Sequence, residues 1–394
     1  MSSIYPEITL KKGREAALLR GHPWVFSGGI AAVKGNPEAG DIVSAKDSTG
    51  KPLAIGFFNP RTDIAFRVLT RNVAAIISSD FWRERIRAAC NLRQRIIASG
   101  TNACRLINAE GDGFPGLIVD VYDSTVVISI TTAGMEKQKK PVVDALIEQL
   151  NPRVIYEQSR GKSRTLEGLV NNTCFLLGND KSGTVAVKEN GLQFTIDYVG
   201  GQKTGFFLDQ RVNRERIGAL SRNARVLNCF AYTGAFSVYC VAGGAQNVVS
   251  LDISHSACAA ARQNLQRNGY SPELHPVVET DVFAYLRNVQ EKFDIIILDP
   301  PAFAKTKRDV VPASRGYREI NMQAIKKLAP GGILATFSCS NFIEEDLFGK
   351  IIRGAIRDAG ADLRLLCRLE AGPDHPVLPG HPEGKYLKGL LLAS

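Results

Sequence analysis

Cys339 lies in Phe337-Ser338-Cys339-Ser340, and Asp299 opens Asp299-Pro300-Pro301-Ala302-Phe303. Each motif follows an apolar run, Gly332 to Ser338 and Phe293 to Asp299, that reads as a buried strand. Residues at the carboxyl ends of strands in an open α/β sheet face the crevice where such folds bind ligands. Proline cannot continue a central strand, so the chain must leave the sheet directly after Asp299. A thiol, a carboxylate and an aromatic ring are thereby expected on one edge, with Pro300 stiffening the turn. Buried cysteine is usually inert packing, the reading that suits Cys229, Cys240 and Cys258. Cys339 differs because it ends a strand.

The same edge carries a second cluster. Val226-Leu227-Asn228-Cys229-Phe230-Ala231-Tyr232-Thr233-Gly234-Ala235-Phe236 reads as strand, glycine-containing turn and helix start. Gly234 lets backbone come close without a side chain intervening. Asp252 ends the next strand, where nucleoside-binding folds place the carboxylate that bonds ribose hydroxyls; Ser254 follows it. Asp281 and Val282 come after the third strand, within reach of an adenine edge. The Gly-x-Gly-x-x-Gly of dinucleotide binders is missing, so nothing cradles a pyrophosphate. A phosphate-free nucleoside fits better, and S-adenosylmethionine (SAM) is one.

Thiol and methyl donor together suggest a specific reaction. C5 of cytosine is too weak a nucleophile to take a methyl group unaided. A Cys339 thiolate adding to C6 makes C5 carbanion-like and reactive. Asp299 can then accept a hydrogen bond from the exocyclic amine or a protonated ring nitrogen, and Phe303 can stack on an extruded base.

Positioning these groups requires repeated β–α alternation, which the sequence supplies after Thr184. Strands are expected at Arg225 to Phe230, Val248 to Asp252, Leu274 to Val278, Phe293 to Asp299 and Gly332 to Ser338. Helices are expected at Ala235 to Ala242, Ser256 to Asn268, Val282 to Asn288 and Tyr317 to Leu328. That is an α/β fold, a Rossmann-like sheet covered on both faces. A hairpin with Asn190-Gly191 at its turn precedes it.

Upstream, residues 1–72 read as short strands and turns, hence a small β-barrel. Residues 73–178 read as a small α+β domain, and 179–394 as the nucleoside-binding domain. The α+β segment opens on an amphipathic helix from Phe81 to Ile97 carrying Arg83, Arg85, Arg87, Arg93 and Arg95, a pattern that usually marks a solvated face. A further helix is expected from Lys137 to Leu150.

The 394 residues carry 49 Lys and Arg against 39 Asp and Glu, a net charge of +10 that favours an acidic partner such as nucleic acid. No apolar run approaches the ~20 residues of a membrane span, and the first residues lack a signal-peptide core. The eight cysteines form no Cys-x-x-Cys pair or metal-spaced cluster. A reduced cytoplasmic protein without a structural metal is expected.

The chain resembles the RlmI-type 23S rRNA cytosine-C5 methyltransferases over nearly its whole length. The resemblance rests on Gly21-His22-Pro23-Trp24-Val25-Phe26, Leu106-Ile107-Asn108-Ala109-Glu110-Gly111-Asp112-Gly113 and Gly201 to Arg211, which includes Lys203-Thr204-Gly205-Phe206-Phe207-Leu208-Asp209-Gln210-Arg211. It continues through Leu227 to Gly234, Asp299 to Phe303, Phe337 to Ser340 and Asp374-His375-Pro376. It implies an N-terminal PUA RNA-binding barrel, a central α+β domain, a C-terminal class I methyltransferase domain, large-subunit ribosomal RNA as partner and a homodimer. It places Phe207, Asp209, Asn228, Phe230, Asp252, Asp281 and Asp299 near the cofactor; Tyr232, Thr233 and Gly234 join them in the turn. Catalysis falls to Cys339, Asp299, Pro300 and Phe303. Many RNA cytosine-C5 methyltransferases pair two cysteines, one after the proline motif. Here Ala302 and Phe303 follow the prolines, so Cys339 acts alone.

Two alternatives compete. An RNA methyltransferase acting on a purine nitrogen or uracil C5 is one. A purine amine needs no nucleophile, but Cys339 would then be idle. A SAM-fold RNA-binding ribosome-assembly protein is the other, which intact Asp252, Asp299 and Cys339 argue against.

Overall fold

A computed structural model describes residues 4–394. The chain forms two compact units. One takes the chain up to Val187 together with Ile196–Phe206 and Pro373–Gly384; the other is Lys188–Thr195, Phe207–Gly372 and Lys385–Ser394.

The second unit is built on a seven-stranded sheet. Its strands are β1 (Arg225–Cys229), β2 (Asn247–Asp252), β3 (Val277–Glu279), β4 (Phe293–Leu298), β5 (Leu328–Ser338), β6 (Arg364–Leu369) and β7 (Lys388–Ala393). The order is β3-β2-β1-β4-β5-β7-β6. The first five are parallel, and β7 runs antiparallel to both neighbours. The helices are α1 (Arg211–Ala219), α2 (Ala235–Ala242), α3 (His255–Arg267), α4 (Val282–Asn288), α5 (Val310–Lys326) and α6 (Glu345–Ala359).

Alternation along each strand divides the core in two. Leu227, Cys229, Val249, Leu251, Ile296 and Leu298 pack with Leu286, Tyr317, Ile320 and Phe348 of the helices on one face. Val226, Val248, Ile295, Ile297, Ala335 and Phe337 pack with Ile217, Phe236 and Cys240 on the other. A sheet buried on both sides explains why these strands read as continuous apolar runs.

Several expected elements have different bounds; β5, expected from Gly332, begins at Leu328. The third strand is only Val277–Glu279, beginning just after Pro276. The helix expected from Tyr317 begins at Val310, with Pro312 in its first turn, where a missing N–H costs nothing. The helix expected from Lys137 to Leu150 is two, Ala133–Lys137 and Lys139–Leu150, and Pro141 likewise sits in the first turn of the second.

The first unit holds a six-stranded mixed sheet over Glu7–Thr70 and a five-stranded sheet over Ala103–Leu177. The helix Ser79–Ile96 overturns the reading of its arginines as one solvated face. Arg93 is buried and forms a two-pronged ion pair with Asp112, at 2.6 and 2.7 Å. Arg85 donates to the backbone oxygens of Gly113 and Leu69. The spacing is amphipathic, yet two guanidinium groups turn inward because carbonyls and a carboxylate satisfy them.

Three quoted motifs have structural work in this unit. Asp374 accepts from the Arg105 amide at 3.0 Å. A Cβ on Gly111 would come within 1.9 Å of the Pro376 carbonyl oxygen, so no side chain fits there. Trp24 donates to Glu110, which with Glu167 also receives Arg67.

Candidate active site

Strand register brings the separate motifs to one edge. Cys229 of β1 is level with Leu251 of β2 and Leu298 of β4, and Leu298 is level with Thr336 of β5. Phe230, Asp252 and Asp299 therefore emerge side by side, with Cys339 one residue beyond β5. The order reverses between β1 and β4, the position at which a parallel sheet opens a crevice.

The turn after β1 is strained and tightly held. Phe230 and Tyr232 have φ of 61° and 48°, a left-handed conformation that costs non-glycine residues about 1–3 kcal/mol each. The Ala231 amide donates to the Leu251 carbonyl, and the Tyr232 amide to the Asp252 carboxylate, both at 2.8 Å. Buried Asn264 of α3 donates to the Thr233 carbonyl at 2.9 Å. Gly234 is also left-handed, at 73°, and a Cβ there would meet the Ala261 Cβ at 2.8 Å. Close approach of α3 is therefore what requires this glycine.

The acidic residues each have defined partners. Asp252 also accepts from the Ser254 amide at 2.9 Å, and the Ser254 hydroxyl caps α3. Asp281 caps α4 through the Ala284 amide at 2.8 Å, with Val282 buried behind it. Asp299 accepts from Gln210 at 3.1 Å, and Gln210 accepts from Asn213 at 2.7 Å. Buried Asp209 accepts from the Tyr386 hydroxyl at 2.5 Å. These hydrogen bonds orient each carboxylate.

Phe207 sets its ring edge-on to Tyr232, centroids 5.3 Å apart. Its carbonyl oxygen receives Arg214 at 2.9 Å. Arg214 is itself buried and paired with Glu189, which the Tyr239 hydroxyl also contacts. Burial opposes charge on Arg214, but the Glu189 carboxylate outweighs it and raises the guanidinium above its ordinary value.

At the other end, the Cys339 thiol is half-buried, with Sγ 4.0 Å from the Pro300 carbonyl oxygen. The Tyr317 hydroxyl lies 3.1 Å from both the Ser338 and Ser340 hydroxyls, and Ala304 N donates to Ser340. Burial pushes the Tyr317 hydroxyl up, so it stays protonated at neutral pH. The Phe303 ring packs on Tyr317 at 4.5 Å and stays partly exposed.

One buried atom indicates what the crevice holds. Asn228 is 1% exposed; its amide nitrogen donates to Ser237, while its Oδ1 has no hydrogen-bond partner in the described structure. Asp252 and Asp299 stand at the ends of β2 and β4, and Asp281 follows β3. An acceptor-rich crevice suits a cationic nucleoside with hydroxyl and ammonium donors, which is the chemistry of SAM. Gln210, Asn213, Arg214, Tyr317, Tyr386 and Lys388 had no role in the sequence reading. Gln210 stood inside a quoted motif, but only the chain crossing reveals its partner. Among the described residues no group of three or more His, Cys, Asp or Glu is placed to hold a metal, and no helix is long and apolar enough to cross a membrane.

Comparison with known proteins identifies the family. Residues 105–392 match the model of the S-adenosylmethionine-dependent methyltransferases, and residues 8–71 that of a PUA-like domain. The ribosomal RNA large subunit methyltransferase I of Aeromonas salmonicida is 43% identical over 389 residues, covering 98% of each chain. That of Photobacterium profundum is 44% identical over 398 residues, covering 99% of this chain and 98% of the relative. A Streptococcus mutans structure described as a SAM-dependent methyltransferase shares the fold, with TM-score 0.84 and 22% identity over 98% of this chain and 100% of that one. Another solved structure, described as a methyltransferase complexed with SAH, has TM-score 0.85 at 23% identity with the same coverage. The chain belongs to the SAM-dependent methyltransferase family, in the group of the ribosomal RNA large subunit methyltransferases I.

Proposed function

We propose that the chain methylates C5 of a cytosine in 23S ribosomal RNA, with Cys339 as nucleophile. The observation that carries this reading is the half-buried thiol one residue beyond β5, 4.0 Å from the Pro300 carbonyl and on the same edge as Asp299. The relatives named as ribosomal RNA large subunit methyltransferases supply the substrate class.

When bound, SAM supplies an electrophilic methyl group. The Cys339 sulfur forms a bond to C6, and the C5–C6 π pair moves onto C5, which becomes the nucleophile. After C5 is alkylated its proton leaves, the C6–S bond breaks and the thiolate is released. Asp299, fixed by Gln210, accepts from the exocyclic amine or a protonated N3. Pro300 fixes the turn behind it, and the exposed part of Phe303 flanks the extruded base. Ala302 and Phe303 occupy the positions where a second cysteine would stand, so water or another group takes the C5 proton.

On this reading Phe207, Asp209, Asn228, Phe230, Tyr232, Thr233, Gly234, Asp252, Ser254, Asp281, Val282 and Asp299 line the cofactor site. Residues 1–72, of which 1–3 lie outside the described residues, form an RNA-binding barrel, 73–178 a central domain and 179–394 the methyltransferase domain of a cytoplasmic homodimer. Mass spectrometry of 23S rRNA nucleosides from a strain lacking the gene tests the proposal. One 5-methylcytidine should disappear and return with wild-type protein but not with Cys339→Ala. Loss of a methylated purine or of 5-methyluridine instead would refute it.

A further inference from the structure

Lys388 is a buried amine hydrogen-bonded to the backbone of the residue after Cys339, and nothing above uses it. It opens β7 opposite Ser338 of β5, with 6% of its surface exposed. Its amine donates to the Ser340 carbonyl at 2.8 Å and the Tyr386 carbonyl at 2.7 Å. Ser340 is the residue after Cys339, so the amine is anchored one peptide from the thiol. An ammonium has three N–H groups, and these carbonyls take two.

The environment makes a charged lysine costly. Burial pushes the amine down to about 8, while negative charge on Cys339 acts in the opposite direction. Two carbonyls alone need only a neutral donor, so a lysine here asks for a reason beyond packing. Other titratable groups on this edge include the neutral Tyr317 hydroxyl from α5, on which negative charge at Cys339 also acts, and Asp299 beyond β4 with its Gln210 partner; Tyr386 precedes β7 and accepts from Lys388 through its carbonyl. The cleft beside Lys388 contains Glu345 and Glu370, which pair with Arg368 and Lys385. Those carboxylates have other cations.

We propose that Lys388 is the positioning residue that sets the charge of Cys339, holding it as a thiolate in a thiolate–ammonium pair. This rests on the reading of Cys339 as nucleophile. The Cys339 S–H bond breaks, sulfur keeps the electron pair, and the proton passes to the neutral Lys388 amine, directly or across one water. Proton count and net charge are unchanged, so no outside acceptor is needed. When sulfur bonds to C6 its negative charge passes to the base; when it leaves, the pair re-forms. The two groups titrate as a unit.

Iodoacetamide alkylation of Cys339 in the full-length protein without RNA, followed by mass spectrometry of its peptide from pH 5.5 to 9.5, tests the pairing. Lys388→Gln keeps an N–H donor for a carbonyl but removes the charge. It should raise the alkylation midpoint by about one pH unit, lowering the rate near pH 7 about tenfold. Lys388→Arg, which stays cationic, should keep the midpoint at or below that of wild type. An unchanged profile in Lys388→Gln, or a raised midpoint in Lys388→Arg, overturns the proposal. Should Lys388→Gln not fold, the reverse effect decides: Cys339→Ala should lower the Lys388 titration followed by lysine ¹³C NMR, and an unmoved titration overturns the pairing. Methyl transfer surviving in Cys339→Ala would instead remove the nucleophile reading, whatever alkylation gives.

Discussion

Gln210 donates its side-chain amide to Asp299 at 3.1 Å, and its carbonyl oxygen accepts from Asn213 at 2.7 Å. Because an ionised carboxylate only accepts, the NH2 end of Gln210 must face Asp299, and Asn213 fixes the other end. Asp299 is thus aimed by a glutamine that is 2% exposed. Gln210→Leu should lower methyl-transfer kcat by about tenfold to a hundredfold, the effect of losing a hydrogen bond of about 1.5–3 kcal/mol to a charged group. SAM affinity, measured by calorimetry, should change by less than about threefold. A variant with normal kcat would remove Asp299 from the role assigned to it.

The strained turn makes a separate prediction. Asp252 accepts from the amides of Tyr232 and Ser254, and Tyr232 is held at a φ of 48°. Asp252→Ala releases both amides together with the carboxylate offered to the ribose. SAM affinity should fall at least about tenfold, from the loss of about 1.5–3 kcal/mol in hydrogen bonds to a charged group. Calorimetry showing wild-type affinity would place the cofactor elsewhere.

Stability should depend on a pair away from the chemistry. Arg214 is 2% exposed at its side chain and Glu189 is 0% exposed. Arg214→Met leaves a buried carboxylate without its cation, which costs about 3–5 kcal/mol. Arg214→Met combined with Glu189→Leu should be far more stable than the sum of the two single changes. Denaturant unfolding of all four proteins measures this, and additivity would show that the pair is not coupled.

If residues 1–72 bind RNA, exposed charges there should set its salt dependence. Lys12, Arg20 and Lys34 are exposed. Each one that contacts phosphate should, when changed to Ser, reduce the slope of log K against log salt by about 0.7–0.9. SAM binding should not respond. Filter binding across a salt series gives the slope, and an unchanged slope in the triple variant excludes this surface.

The nucleoside-binding sheet was legible in sequence because parallel strands covered on both faces are continuous apolar runs with turn residues between them. The run Ile295-Ile296-Ile297-Leu298 leaves little room for another reading. Pro312 hid the first turn of α5, since proline is read as a breaker although the first helical turn tolerates it. The inward turn of Arg85 and Arg93 is not legible because a helical pattern reports which face a residue occupies, not whether a distant carbonyl or carboxylate awaits it. Lys388 was invisible for a related reason. Its neighbourhood with Cys339 is made by an antiparallel strand that returns from the end of the chain, and no local pattern encodes that pairing.

RNA carrying 5-fluorocytidine tests the central claim most directly, because fluorine replaces the proton that must leave C5 and traps the adduct. Incubated with SAM and the protein, it should give a complex that survives denaturation, and mass spectrometry should find the RNA attached to the Cys339 peptide. Cys339→Ala should give none. Absence of a covalent complex in a preparation that methylates the unmodified RNA, or attachment at any other residue, would contradict the account.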